Sequence, residues 1–190
     1  TVTVASTTGM VAGSKVFIGD KANAQNTNNH WNRTISSITD ATHVVVDFWF
    51  RPLAYAIILL RAEGYPCVFD PDLDGASYSD KGQNVSLAAV PGLREMLGAR
   101  RDLAYGFQRD WFDQWNTIGW TREGDDEHPG SGLAVLLSDG PGGSKWMEVG
   151  RRHAGAEFVD LLGRSQGSVW INQDGWGEFR CEGGSVSVWA

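Results

Sequence analysis

The sequence predicts a mainly β chain of α+β character. It should hold a small N-terminal β-module, a middle segment with two helices, and a C-terminal antiparallel Greek-key β-sandwich. Three observations predict this. After residue 102 the chain carries about seven or eight short strand-like runs, with turn residues every ~8–12 positions. Ahead of them, 50–63 and 87–101 show helical periodicity. The first 47 residues alternate β-branched with small residues, which is strand chemistry.

In chain order, strands are expected at Thr1–Ala5, Ser14–Gly19, Asn32–Ile38 and His43–Asp47, with a polar loop over Asn23–His30. Phe50–Glu63 should be a helix, with Pro52 tolerated in its first turn and Gly64 as its stop. Tyr65–Phe69 reads as a short buried strand. Leu87–Arg101 reads as the second helix, with Leu93, Met96, Leu97 and Leu103 toward a core. Beyond it, Asn116–Glu123, Ser131–Ser138 and Ser144–Gly150 are three strands joined by GDDEHPGSG and DGPGG, whose Gly and Pro reverse the backbone. AEFVDLLG, GSVWIN, WGEFRC and SVSVWA supply the remaining strands.

With 190 residues the chain is one generous domain or two small ones. A net charge of −7 with no basic stripe argues against nucleic acid as a partner. No apolar run reaches the ~18 residues that a membrane helix needs, so no membrane partner is expected. The two cysteines, Cys67 and Cys181, read as buried free thiols. The chain starts at Thr1 rather than Met, which fits processing or truncation, and an extracellular setting is expected over a cytoplasmic one.

Several phrases carry a resemblance: IGWTREGD, LAVLLSDG, GPGGSKWMEVG, INQDGWGEF and GGSVSVW. Residues from about 49 to 190 resemble the end of an alpha-amylase, a glycoside hydrolase whose catalytic domain is a TIM barrel. The resemblance implies that 48–101 is a remnant of the last βα segment of that barrel and 102–190 the C-terminal β-sandwich. VASTTGMVAGSKVFI and RTISSITDATHVVVD, within 1–47, are similar to a small β-module of phage tail and fibre proteins. The family's three catalytic carboxylates sit on barrel strands that this sequence does not match. The resemblance therefore implies a non-catalytic, carbohydrate-binding or structural protein, with a polysaccharide as the candidate partner.

The alternative is a small hydrolase with a new carboxylate site at the seam. Its candidates are Asp47, in VVVDFW, and Asp70, Asp72 and Asp74, in DPDLDG. A third reading is a virion or fibre component that dimerises or trimerises through 1–47. DPDLDG also has the D-x-D-x-D-G spacing that opens an EF-hand-like calcium loop, though Lys81 stands where the bidentate acid belongs. A solvated acidic loop fits the same residues. Asp110 and Asp139 match positions that hold an interdomain calcium in some family members, but Arg109 stands where His is common, and an Arg–Asp pair is the competing reading. Calcium is the one candidate cofactor.

Trp111, Trp115 and Trp170 are candidates for a glycan platform, against simple cover of hydrophobic surface. Gly163–Gly167 fits G-x-S-x-G, but strands on both sides make it a hairpin turn rather than a nucleophile elbow. The four histidines show no metal spacing and read as surface or turn residues. Finally, His43–Asp47 is expected to pair with the Tyr65–Phe69 region, within one chain or across a dimer, and so cover the Leu53, Ile57 and Leu60 face of the first helix.

Overall fold

The computed structural model describes residues 50–190 throughout, with side chains from Arg51 onward, and four strands ahead of them by their backbone. The chain divides into two compact units, Thr1–Phe48 and Trp49–Ala190.

The first unit is a four-stranded antiparallel sheet. It contains β1 (Val2–Thr3), β2 (Lys15–Ile18), β3 (Trp31–Ile38) and β4 (His43–Val46), in the order β1-β4-β3-β2. β4 therefore pairs with β1 on one edge and β3 on the other. Residues 65–69, expected as a buried strand, do not form one. Pro66 removes a ladder donor, and Tyr65 and Phe69 are exposed rather than buried.

The second unit starts with helix α1 (Phe50–Leu60). Leu53, Ala56, Leu59 and Leu60 line its inner face and are buried. Ile57, expected on that face, is instead 39% exposed, because the buried stripe runs through Ala56 and Leu60. The helix ends through tertiary partners rather than at Gly64. Arg100 donates to the carbonyls of Leu59 and Arg61, both at 2.9 Å, and the Trp120 indole donates to the carbonyl of Leu60 at 3.2 Å.

DPDLD forms a short helix, α2 (Asp70–Asp74), with Pro71 and two carboxylates in its first turn. A hairpin absent from the sequence reading follows: β5 (Ala76–Asp80) pairs with β6 (Gln83–Leu87) in full register. Lys81 and Gly82, both at positive φ, make its two-residue turn. The second long helix, α3 (Leu93–Asp102), starts later than the expected Leu87. Pro91 and the left-handed Gly92 (φ 81°) keep the preceding residues out of the helix. Leu93 and Met96 are fully buried, and Leu97 and Leu103 pack beside them, as the periodicity predicts.

The rest is the expected antiparallel β-sandwich. One sheet runs β14-β9-β8-β7, from Val186–Trp189, Leu133–Ser138, Thr117–Arg122 and Gln108–Trp111. Facing it are β10 (Gly142–Glu148) paired with β13 (Trp176–Glu182), and the ribbon β11 (Glu157–Val159) with β12 (Ser168–Trp170). Between the sheets lie Leu136, Met147, Val149, Phe158, Phe179 and Trp189. On the other side of the first sheet, Trp120, Leu133, Val135, Leu137 and Val188 pack with α1 and α3. β9 is thus buried at every position, which is why LAVLLS reads as a continuous apolar run rather than an alternating one. The helices and the sandwich share this core.

Two glycines set close approaches. A Cβ on Gly106 would lie 1.9 Å from the Gly124 carbonyl oxygen, at the bridge that joins the two segments. A Cβ on Gly119 would lie 2.7 Å from Met147 Sδ, so the glycine lets β8 and β10 close on one another.

Candidate functional site

The acidic candidates are largely engaged within the fold. Asp72 accepts from Arg51 at 2.6 Å and from the Tyr55 hydroxyl at 2.8 Å. Burial, then the bond to Asp72, raises the Tyr55 pKa. Asp74 pairs with Arg94. Asp70 makes no ion pair among the described residues and helps line an open groove of about 350 Å³ with Arg51, Ala54, Tyr55, Ile58 and Phe69. A helix turns successive odd residues about 200° apart, so Asp70, Asp72 and Asp74 do not present their oxygens to one centre as a calcium loop would. Asp47 lies outside the described residues.

Asp110 is held by Arg61 and not by its neighbour Arg109. The guanidinium gives it two hydrogen bonds, 2.8 and 3.0 Å long. Arg109 turns away to Glu123 (2.9 Å) and Glu148 (3.2 Å). Asp139 is exposed in the turn after β9. No group of three or more His, Cys, Asp or Glu side chains suited to a metal occurs among the described residues.

The cysteines differ from each other. Cys181 is buried in the sandwich core, as expected, and burial pushes its thiol up to about 12. Cys67 is exposed, because the segment that holds it is not a buried strand. Among the histidines, His128 caps a turn, bonded to Asp125 at 2.8 Å and stacked on Tyr105. His153 is half-buried against Phe158 and reaches the Glu123 carbonyl at 2.8 Å. It is a packing residue rather than a surface one. Gly163–Gly167 is the expected turn between β11 and β12, built on Asp160.

The tryptophans sort by face. Trp120 and Trp189 are fully buried. Trp111 is half-buried and meets Trp176 edge-on, with ring centroids 6.2 Å apart. Trp115 (87% exposed) stands in the loop after β7, and Trp170 (65%) lies on β12 opposite Glu157. The sequence reading missed Trp146, which is 57% exposed on β10. Trp146 lies opposite Glu178, and Trp176 opposite Glu148, in the β10–β13 register. The two indoles are therefore diagonal neighbours on one outer face. Ser144 donates to Glu178 Oε1 at 2.8 Å on the same face. The signal was present as period-2 alternation in SKWME and WGEFR, where every second residue is polar or aromatic and faces out.

The comparisons with known proteins agree with this architecture. Residues 133–190 match the family model for the alpha-amylase C-terminal domain. An alpha-amylase of Geobacillus stearothermophilus is 56% identical over 148 residues, covering 76% of this chain and 25% of its own length. A glucan 1,4-alpha-maltohexaosidase of Bacillus sp. (strain 707) is 49% identical over 154 residues, 79% of this chain and 28% of that protein. A cytoplasmic alpha-amylase of Escherichia coli is 41% identical over 78% of this chain and 31% of its own length. The chain thus spans about a quarter to a third of the curated relatives it matches. The β-sandwich at the end of this chain is a C-terminal domain of the alpha-amylase family.

Proposed function

We propose that this chain is a non-catalytic, α-glucan-binding member of the alpha-amylase family that holds polysaccharide on the outer face of β10 and β13. The observation that carries this reading is the diagonal pair Trp146 and Trp176 on that outer face, with Glu178 and Ser144 beside the rings. An exposed indole offers a flat apolar surface to the C–H face of a pyranose ring. A carboxylate and a hydroxyl beside it accept and donate to the ring's hydroxyl edge, which fixes orientation. A two-stranded sheet face suits an extended chain better than a pocket does. Trp170, paired across the strands with Glu157, repeats the same aromatic–carboxylate chemistry on the neighbouring ribbon.

The glucan class comes from the relatives, whose names describe alpha-amylases and a glucan 1,4-alpha-maltohexaosidase. The non-catalytic reading is supported by how the seam carboxylates are used, since Asp72 and Asp74 serve Arg51, Tyr55 and Arg94.

Affinity electrophoresis through gels with and without soluble starch tests this. Starch should retard the parent chain. W146A should migrate freely and E178Q should be retarded less, while W115A should behave as the parent. Unretarded parent, or retardation equal in W146A, would overturn the assignment.

A further inference from the structure

We infer that the glucan held on Trp146 runs across the strands, over Glu178 and Trp170 to Glu157, so that the site takes a linear gluco-oligosaccharide of about four units rather than a disaccharide. This inference rests on the glucan-binding reading and carries it onto the neighbouring ribbon. The four side chains come from four strands that lie side by side. In the β10–β13 pair Trp146 lies opposite Glu178, and in the β11–β12 pair Trp170 lies opposite Glu157. The turn from β12 into β13 joins the two pairs. There Asn172 N donates to the Trp176 carbonyl at 2.9 Å, and a Cβ on Gly177 would lie 2.9 Å from Ile171 Cδ1. Counting on by one residue in each strand sets Trp170 abreast of Glu178. The order across the surface is therefore Trp146, Glu178, Trp170, Glu157, with indole and carboxylate in turn.

All four side chains face outward. Their chain neighbours Met147, Phe158, Val169, Ile171, Gly177 and Phe179 are buried in the sandwich, and a strand alternates its faces. Trp146 and Trp170 are 57% and 65% exposed, with Glu178 and Glu157 exposed beside them. Adjacent strands lie about 4.8 Å apart, so the two indoles stand on the order of 10 Å apart with a carboxylate between them. A glucose unit advances its chain by about one strand spacing. A glucan laid across the strands therefore sets one ring on each indole and brings the hydroxyls between them to Glu178. A glucan laid along β10 would meet Ser144 and Glu148 but no second indole. Trp176, diagonal to Trp146 and edge-on to Trp111, flanks the row at its β10 end.

Calorimetric titration of the full chain with maltose and with maltohexaose tests this. One maltohexaose should bind per chain, roughly tenfold or more tighter than maltose. W170A should weaken maltohexaose about fivefold or more and leave maltose unchanged, since the short sugar sits on Trp146 alone. E157Q should weaken maltohexaose about twofold, and W146A should weaken both sugars. Equal affinity of the parent for the two sugars, or W170A indistinguishable from the parent, would overturn the row while leaving glucan binding at Trp146 in place. So would two maltohexaose molecules per chain that fall to one in W170A, since Trp170 would then be a separate site. A parent that binds neither sugar would sink the glucan-binding reading and this inference with it.

Discussion

Arg61 grips Asp110 with two hydrogen bonds, 2.8 and 3.0 Å long, and so ties the end of α1 to the edge strand β7. The same guanidinium lies 5.2 Å from the Phe112 ring and 5.7 Å from the Trp120 ring. One side chain thus joins the helical layer to the sheet through both charge and aromatic contact. Arg61→Met should cost about 1 kcal/mol, since the carboxylate is partly solvated. Arg100→Ala should cost more, about 2 kcal/mol, because it strips the carbonyls of Leu59 and Arg61 of their donor. Urea unfolding of the two variants checks the order.

The grip on Asp110 bears on calcium. Binding the ion at Asp110 would require the carboxylate to leave Arg61, and binding at Asp72 would require leaving Arg51 and Tyr55. Affinity should be no tighter than roughly 10⁻⁴–10⁻³ M, as in weak extracellular sites. Calorimetric titration with CaCl₂ reads this directly, and micromolar binding would contradict it.

Asp160 organises the β11–β12 turn. Its Oδ1 accepts from Leu162 N (3.1 Å) and Val188 N (2.9 Å), and its Oδ2 from Arg164 N (2.8 Å) and Ser165 N (2.9 Å). Asp160→Ala leaves all of these donors without the carboxylate and should cost about 3 kcal/mol. Asp160→Asn keeps the shape but turns an NH₂ toward two N–H groups, so it should rescue less than half. Denaturant midpoints at constant m-value would show this.

Lys145 is buried, with 4% of its side chain exposed, and its partner Asp113 is 68% exposed. The Lys145 ammonium lowers the Asp113 pKa. For a depressed carboxylate, the stabilisation is complete above its unfolded-state value near 4 and fades as pH falls through the folded-state value. Asp113→Asn should therefore lower Tm at pH 7, and the gap to the parent should close in acid, below about pH 4. Lys145→Met should recover part of the loss, because it removes the buried charge itself. A gap that persisted at pH 2.5 would place the effect in packing instead.

The two thiols should react differently. Cys67 is exposed, and Cys181 is buried with its pKa raised to about 12. At pH 8 a thiol-reactive dye should label Cys67 in the folded chain and both cysteines after unfolding. Rapid labelling of Cys181 in the folded state would mean that the sandwich opens locally.

The sequence by itself determined the sandwich and the side chains that fill it. Strand alternation, turn glycines and the apolar run of β9 are local signals, and each survives without knowledge of a partner. The same local logic failed wherever a neighbour decides. Tyr65–Phe69 has strand composition, but Pro66 removes a ladder donor and the segment stays irregular and largely exposed. DPDLDG has the spacing of a metal loop, but Pro71 starts a helix there and Arg51, Tyr55 and Arg94 hold two of its carboxylates. Asp110 was legible as a carboxylate of interest, yet Arg61 pairs with it across 49 residues, a distance no spacing rule reaches. Trp146 looked like any other core-forming aromatic until the β10–β13 register set it beside Glu178 and Trp176. Periodicity assigns a residue to a face, and only tertiary packing decides whether that face meets a core, a charge or solvent.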